Sequence, residues 1–194
     1  LHTPGAVNRV YIAKDGKVRH RDEVMDAAKA GRVPVEFVPL AKLNDLARGG
    51  EHQGVAAVVS PRAYVELKPC IAALPRVATV VLLDQVQHPK NFGMAARSAA
   101  AAGAAALIVP ARGGALLDAD ALRASAGALL RIPVARCTNL AQAIRDLQEA
   151  GFWVYGLDGA GTVDLYTVKW PERVAIVLGN ESEGMRPAVS KACD

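Results

Sequence analysis

Leu83-Asp84-Gln85-Val86-Gln87-His88-Pro89-Lys90-Asn91-Phe92-Gly93-Met94-Ala95-Ala96-Arg97-Ser98-Ala99 is the stretch that decides the architecture. An apolar run over residues 79–84 enters a short polar loop, and a helical pattern over 91–102 leaves it. Asn91 is read as the helix N-cap, because its side-chain oxygen can satisfy an orphan amide of the first turn. The helix is small and apolar apart from Arg97 and Ser98. One guanidinium in such a helix is costly to bury without an anionic partner. Its planar fork suits an oxyanion such as phosphate. An arginine that reaches solvent or pairs with an acidic neighbour fits the same letters.

Outward from this unit the alternation continues in both directions. Strands are expected over residues 9–13, 35–38, 55–59, 105–109, 132–135, 153–157 and 174–178, with helices over 22–30, 41–47, 120–129 and 140–150. Alternating β and α elements point to an α/β fold with a largely parallel sheet. The helix over 140–150 is the clearest. Leu140, Ala143, Ile144 and Leu147 fall on one face, Arg145, Asp146 and Glu149 on the other, and Gly151 stops it. Pro61, Pro69 and Pro75 mark a boundary within residues 60–77. We therefore expect a first domain over 1–66, a linker over 67–77 and a second domain over 78–194.

Two further strand ends carry glycines. Val177-Leu178-Gly179-Asn180-Glu181-Ser182-Glu183-Gly184-Met185 lets backbone approach closely where open α/β sheets bind ligands. It is neither GxGxxG nor a Walker motif, which disfavours a dinucleotide or a nucleoside triphosphate. A capped turn with a solvated acidic pair is the plainer alternative. Gly156-Leu157-Asp158-Gly159-Ala160-Gly161 could line a pocket, but such loops are common.

Composition narrows the classes. Hydrophobic residues are 52% of the 194, too many for a disordered tail, and they come in short runs, so no membrane span is expected. Cys70, Cys137 and Cys193 are odd in number without CxxC spacing, and the histidines are scattered; neither a disulfide framework nor a metal site is expected, and a reducing cytoplasm is the default. No signal peptide is apparent, and without an initiator methionine the true N-terminus is expected upstream. The net charge is +4, and residues 1–68 hold 11 Lys/Arg against 8 Asp/Glu while the rest holds 12 against 11. A basic first part suits a polyanion.

Taken together, these segments resemble the SpoU family of RNA 2′-O-ribose methyltransferases, within the SPOUT superfamily. Asp84, Pro89, Asn91, Gly93 and Arg97 look like its first motif, with the N-x-G-x-x-x-R spacing, and Leu178–Met185 looks like its second. Ser125-Ala126-Gly127-Ala128, Ile132-Pro133-Val134 and Asn139-Leu140 follow the order of members acting on ribosomal RNA. Glu51-His52-Gln53-Gly54-Val55-Ala56 is similar to the end of the small substrate-binding domain in that branch. His88 stands where an acidic residue is frequent, and Ser182 replaces a common glycine.

The resemblance implies a trefoil-knot, Rossmann-like parallel sheet preceded by a small α/β, ribosomal-protein-like substrate-binding domain. It also implies a third motif, downstream of Cys193, that threads the knot. It implies S-adenosylmethionine as cofactor, RNA as substrate (ribosomal first, transfer RNA second), and a homodimer. Arg97, Asn91 and Glu181 would be catalytic. Leu157, Gly159, Leu178, Gly179, Asn180, Gly184 and Met185 would cradle the adenosyl group. Arg9, Lys14, Lys17, Arg19, Arg21, Arg48 and His52 would grip RNA, each of them equally a surface charge or, for His52, part of a turn. A guanidinium keeps its proton at neutral pH, so Arg97 is read as a phosphate anchor that also stabilises charge on the attacking oxygen. Direct proton abstraction stays open. The rival readings are a catalytically inactive RNA-binding or assembly factor derived from such an enzyme, and another nucleotide enzyme using the 156–161 loop. The expectation that most exposes the assignment is spatial: Arg97 should face the turn that ends in Gly184.

Overall fold

Runs rich in valine, isoleucine and leucine form the strands, and the computed structural model describes them within residues 7–15, 18–48, 50–60 and 64–194. The chain divides into two units, Leu1–Arg62 and Ala63–Asp194. In the first, β1 (Val7–Ala13), α1 (Arg21–Ala30), β2 (Val35–Val38), α2 (Leu40–Ala47) and β3 (Val55–Val59) follow in order. Central β1 runs parallel to β2 and antiparallel to β3. Val10, Ile12 and Ala13 of β1 are buried, as are Val38 and Leu43. Ile12 and Ala13 are consecutive and point to opposite faces, so the end of β1 is covered on both.

The second unit holds β4 (Val65–Glu66), α3 (Leu67–Ala72), β5 (Ala78–Leu83), α4 (Pro89–Ala101), β6 (Ala106–Pro110), α5 (Ala119–Ala124), a 3-10 turn (Ala128–Leu130), β7 (Val134–Cys137), α6 (Leu140–Glu149), β8 (Trp153–Leu157), β9 (Arg173–Leu178) and α7 (Pro187–Ser190). Its six strands lie in the order β4-β7-β6-β5-β9-β8, every pairing parallel. The central strands β5 and β6 are covered on both faces, which is why they read as largely apolar runs. Val80 and Leu82 of β5 pack with Ile71, Leu140, Ile144, Leu147 and Val189. Val81 and Leu83 face the other way, onto Phe92, Ala96, Ala99, Ala121 and Leu129. The chain leaves β5 toward β6 and β7, then returns to fill the other side with β8 and β9. The carboxyl ends of β5 and β9 thus flank the topological switch point, where open α/β sheets bind ligands.

Three local expectations change. Asn91 is not the N-cap of α4: His88 takes that place with extended backbone, its Nδ1 accepting from the Lys90 amide at 3.3 Å. Pro89 is pre-set for the first helical turn and moves the start two residues back, leaving the Asn91 side chain free for another partner. The helix expected over 120–129 breaks after Ala124. Ser125 Oγ donates to the Leu122 carbonyl and accepts from the Leu129 amide, and Ala126 and Gly127 adopt φ of 48° and 79°. A serine that bonds its own backbone competes with the helix. Within the stretch read as linker, residues 67–72 form α3, because Ile71 is buried and Leu67, Cys70 and Leu74 pack on the same core.

Helix α4 lies unusually close to α5. A Cβ on Gly93 would stand 2.5 Å from the Ala121 carbonyl oxygen and 2.9 Å from the Ser125 amide nitrogen. Backbone atoms inside two packed helices cannot step aside. Gly93→Ala is expected to cost about 2–3 kcal/mol through overpacking, read as a lower denaturation midpoint with an unchanged m-value.

Candidate active site

The loop after β9 folds back on itself because glycine stands at both ends. Asn180 and Gly184 form a two-bond bridge, N–H to carbonyl at 2.9 Å in each direction. Gly184 takes φ 68°, and a Cβ on Gly179 would fall 2.2 Å from the Gly184 carbonyl carbon. The Asn180 side chain braces the turn from within: Oδ1 accepts from the Ser182 and Glu183 amides at 2.8 and 3.2 Å, and Nδ2 donates to the Gln85 carbonyl at 3.0 Å. That last bond ties the turn to the loop after β5.

Two side-chain pairs complete the tie. Asn91, in the first turn of α4, donates through Nδ2 to Glu181 Oε1. Asp84, fully buried at the end of β5, accepts from the Arg186 backbone amide and Nε, both at 2.8 Å, and Arg186 Nη2 lies 2.6 Å from its Oδ1. The Asp84 amide in turn donates to the Leu178 carbonyl at 2.7 Å. Entry and exit of the turn are therefore both clamped to the end of β5. Asp84→Asn removes the charge, weakens the acceptor facing Arg186 and leaves that guanidinium, 42% exposed, to water. We expect a loss of about 2 kcal/mol, below the value for a fully buried pair, measured as a Tm several degrees lower.

Beside this turn lies the end of β8. Leu157 pairs in register with Leu178, and Leu178 with Leu83, so three strand ends stand in a row. A Cβ on Gly156 would meet Met185 Cε at 2.7 Å and Cys193 Sγ at 3.3 Å. Asp158 turns the chain by accepting from the Ala160 amide at 2.9 Å, while Gly159 opens onto free space. The seven residues expected at a cofactor, Leu157, Gly159, Leu178, Gly179, Asn180, Gly184 and Met185, thus belong to strand ends and loops on one edge of the sheet. Leu157 is 36% exposed and Leu178 and Met185 are partly exposed, so the side chains offered here are apolar. That suits a purine and its ribose better than a polyphosphate. Cys193 and Cys137 have their thiols pushed up by burial, Cys137 to about 11. They remain neutral near pH 7 and supply no nucleophile here. Among the described residues, no group of three or more His, Cys, Asp or Glu side chains could hold a metal ion.

Arg97 is placed differently from the spatial expectation. It is exposed and lines a cleft with Ala104, Ala105, Ile132 and Pro133, at the amino ends of β6 and β7; no residue of the Gly179–Met185 turn lines that cleft. The α4 residue that meets the turn is Asn91. Six residues separate the two, about 9 Å along the helix and about 120° around it. Glu181 binds Asn91 and not the arginine.

The basic residues of the first unit do not all point at a free surface. Arg9 is held by Glu36 at 2.9 Å, which also takes Lys42. Arg21 stacks over the Phe37 ring at 4.9 Å. His52 is part of a turn: Nδ1 accepts from the Gly54 amide at 3.0 Å, which fixes the other nitrogen as donor to Asn44 Oδ1 at 2.8 Å. Lys14, Arg19 and Arg48 are exposed. Lys17 lies outside the described residues. The groups that sequence reasoning left without a role are Arg186 and the Gln85 carbonyl. A lone acid ending a buried strand, with an arginine just past the turn, was the available signal for the Asp84–Arg186 pair.

Comparison with known proteins gives the family. Residues 78–194 match the SpoU rRNA Methylase family, and residues 1–65 match the RNA 2′-O ribose methyltransferase substrate binding family. The chain is 38% identical over 191 residues to the 23S rRNA (guanosine-2′-O-)-methyltransferase RlmB of Xanthomonas axonopodis pv. citri, covering 97% of this chain and 77% of that one. It is 34% identical over 192 residues to a Staphylococcus epidermidis protein whose name places it with TrmH family tRNA/rRNA methyltransferases, covering 97% and 77%. The crystal structure of an AdoMet-bound rRNA methyltransferase from Sinorhizobium meliloti is similar at a TM-score of 0.73 and 25% identity, over 97% of this chain and 69% of that one.

Proposed function

The chain belongs to the SpoU rRNA methylase family, and on that premise we propose that it is an S-adenosylmethionine-dependent methyltransferase acting on a ribose 2′-oxygen of large-subunit ribosomal RNA. The observation that carries the reading is the Asn180–Gly184 turn, clamped at the switch point by Asp84 and Asn91. In this reading Leu157, Leu178 and Met185 would offer apolar contact to the adenosyl group, and a Cβ on Gly159 would meet nothing within 4 Å. When bound, the cofactor supplies an electrophilic methyl group on a sulfonium centre.

The chain's own work is positional. Holding a nucleophile and its target at near-attack distance supplies a large share of rate when the nucleophile is as poor as a ribose hydroxyl. Asn180 keeps the turn closed, and Asn91 with Glu181 fixes it to the first turn of α4. Arg97 anchors the RNA backbone, so that the hydroxyl is presented and not merely near. The first unit grips structured RNA through phosphates and shape, with Lys14, Arg19 and Arg48 as exposed cations. A homodimer through the second unit, in the cytoplasm, completes the reading.

The test is a map of ribose methylation in RNA from cells with and without this gene. Loss of one 2′-O-methyl group from large-subunit ribosomal RNA is expected. Loss confined to transfer RNA would move the substrate; an unchanged map, with no AdoMet binding by the full-length protein, would favour the inactive RNA-binding alternative.

A further inference from the structure

Arg97 does not stand alone in its cleft. The space, about 530 Å³, is walled by small side chains such as Ala101, Ala104 and Ala126, and its other charged side chain is Arg131. Neither guanidinium has a hydrogen-bond or ion-pair partner among the described residues. Arg112 is likewise without a partner among the described residues but lies outside this cleft. What distinguishes Arg97 and Arg131 is that two unpaired guanidinium groups share one space, while the other arginines of the second unit are engaged. Arg76, Arg123 and Arg186 are paired with acids, Arg136 and Arg173 donate to backbone carbonyls, and Arg145 is held by Gln142. The third polar side chain in the cleft, Ser125, is fully buried with its hydroxyl spent on Leu122 and Leu129. The amides of Ala126 and Gly127 are also used, donating to Arg123 and Leu122 carbonyls at 3.0 and 3.2 Å. No acidic residue lines the cleft. What it offers a ligand is two forked cations against a rigid wall of methyl groups.

Resting on the methyltransferase reading, we propose that Arg97 and Arg131 together form a subsite for a phosphodiester of the substrate RNA. A base is a poor occupant, since no aromatic ring lines the space for stacking and no free backbone amide is there to read an edge. A phosphate offers oxygens to both forks, and charge-assisted bonds of this kind are short and strong. Alanine walls leave room for the sugar-phosphate chain to pass. Arg131 is in this view a positioning residue: it sets the register of the strand that Arg97 also holds.

The experiment measures affinity of the full-length protein for an unmodified in-vitro transcript of large-subunit ribosomal RNA at several salt concentrations. Each lost phosphate contact lowers the slope of log K against log salt by about 0.7–0.9. Arg131→Ala is expected to lower it by that amount and to weaken binding about tenfold, with AdoMet affinity unchanged; Arg131→Lys should recover much of the slope. Arg123→Ala is the control, because it removes the same charge from a nearby residue already paired with Asp120; its slope should stay that of the wild type. An unchanged slope for Arg131→Ala, or an equal drop for Arg123→Ala, overturns the subsite. A slope that drops in Arg131→Ala, with a wild-type protein that methylates no RNA, would sink the methyltransferase reading and leave the cleft as an RNA grip.

Discussion

Arg97→Ala is expected to lower kcat/KM for RNA methylation by about two orders of magnitude while AdoMet affinity and Tm stay at wild-type values. Tm is spared because the side chain is exposed and unpaired among the described residues, and alanine is the better helix former. AdoMet binding should be spared because none of the residues proposed above to hold the cofactor lines the cleft of Arg97. The loss in turnover follows from misplacement: a shift of about 1 Å in a reacting group is enough for a hundredfold effect. Wild-type kcat/KM in the variant would remove this residue from the reaction. The cleft of Arg97 stands at the amino ends of β6 and β7 and the turn past the carboxyl end of β9, so in the homodimer proposed above each copy would complete the other's site. Mixing Arg97→Ala with a cofactor-deficient variant tests that arrangement, since shared sites would regain activity that neither variant has alone.

Gly179→Ala supplies the cofactor-deficient partner. A methyl group there stands 2.2, 2.4 and 2.6 Å from backbone atoms of Gly184 and Met185. None of these can yield without breaking the two bonds between Asn180 and Gly184. The turn opens, Glu181 leaves Asn91, and the apolar set at these strand ends loses Met185. AdoMet affinity should fall by about a hundredfold, near 3 kcal/mol, measured by calorimetry. Gly156→Ala serves as the contrast. Its clash at 2.7 Å is with the flexible end of Met185, and methionine adapts; a fall of less than about tenfold is expected. Unaltered affinity in Gly179→Ala would take the turn out of the cofactor site.

How much of this was legible beforehand depended on whether a feature is local. The central strands were, because a buried parallel strand such as Ala78–Leu83 is apolar at every position but Thr79. So was the turn, whose glycines answer a close backbone approach. The two-residue β4 was not: Val65 and Glu66 carry no periodicity and are strand only because β7 lies alongside. The break after Ala124 was missed because alanine and leucine favour helix on both sides, and only the bonds of Ser125 decide otherwise. Asn91 and Arg97 were grouped by spacing as one catalytic set, yet a six-residue interval already turns them to different sides of a helix. The partner of Glu181 could be known only once β9 was placed next to β5.

That placement has a price in time. β9 lies between β5 and β8, although both precede it in the chain, and Ala78 pairs with Arg173. At about 5–20 residues per second a ribosome needs roughly 5–20 s to span that interval. Throughout it the nascent chain carries a naked apolar ribbon with unsatisfied amides along one side. Production of this protein should therefore be sensitive to growth temperature and chaperone supply in a way that its final stability does not foretell.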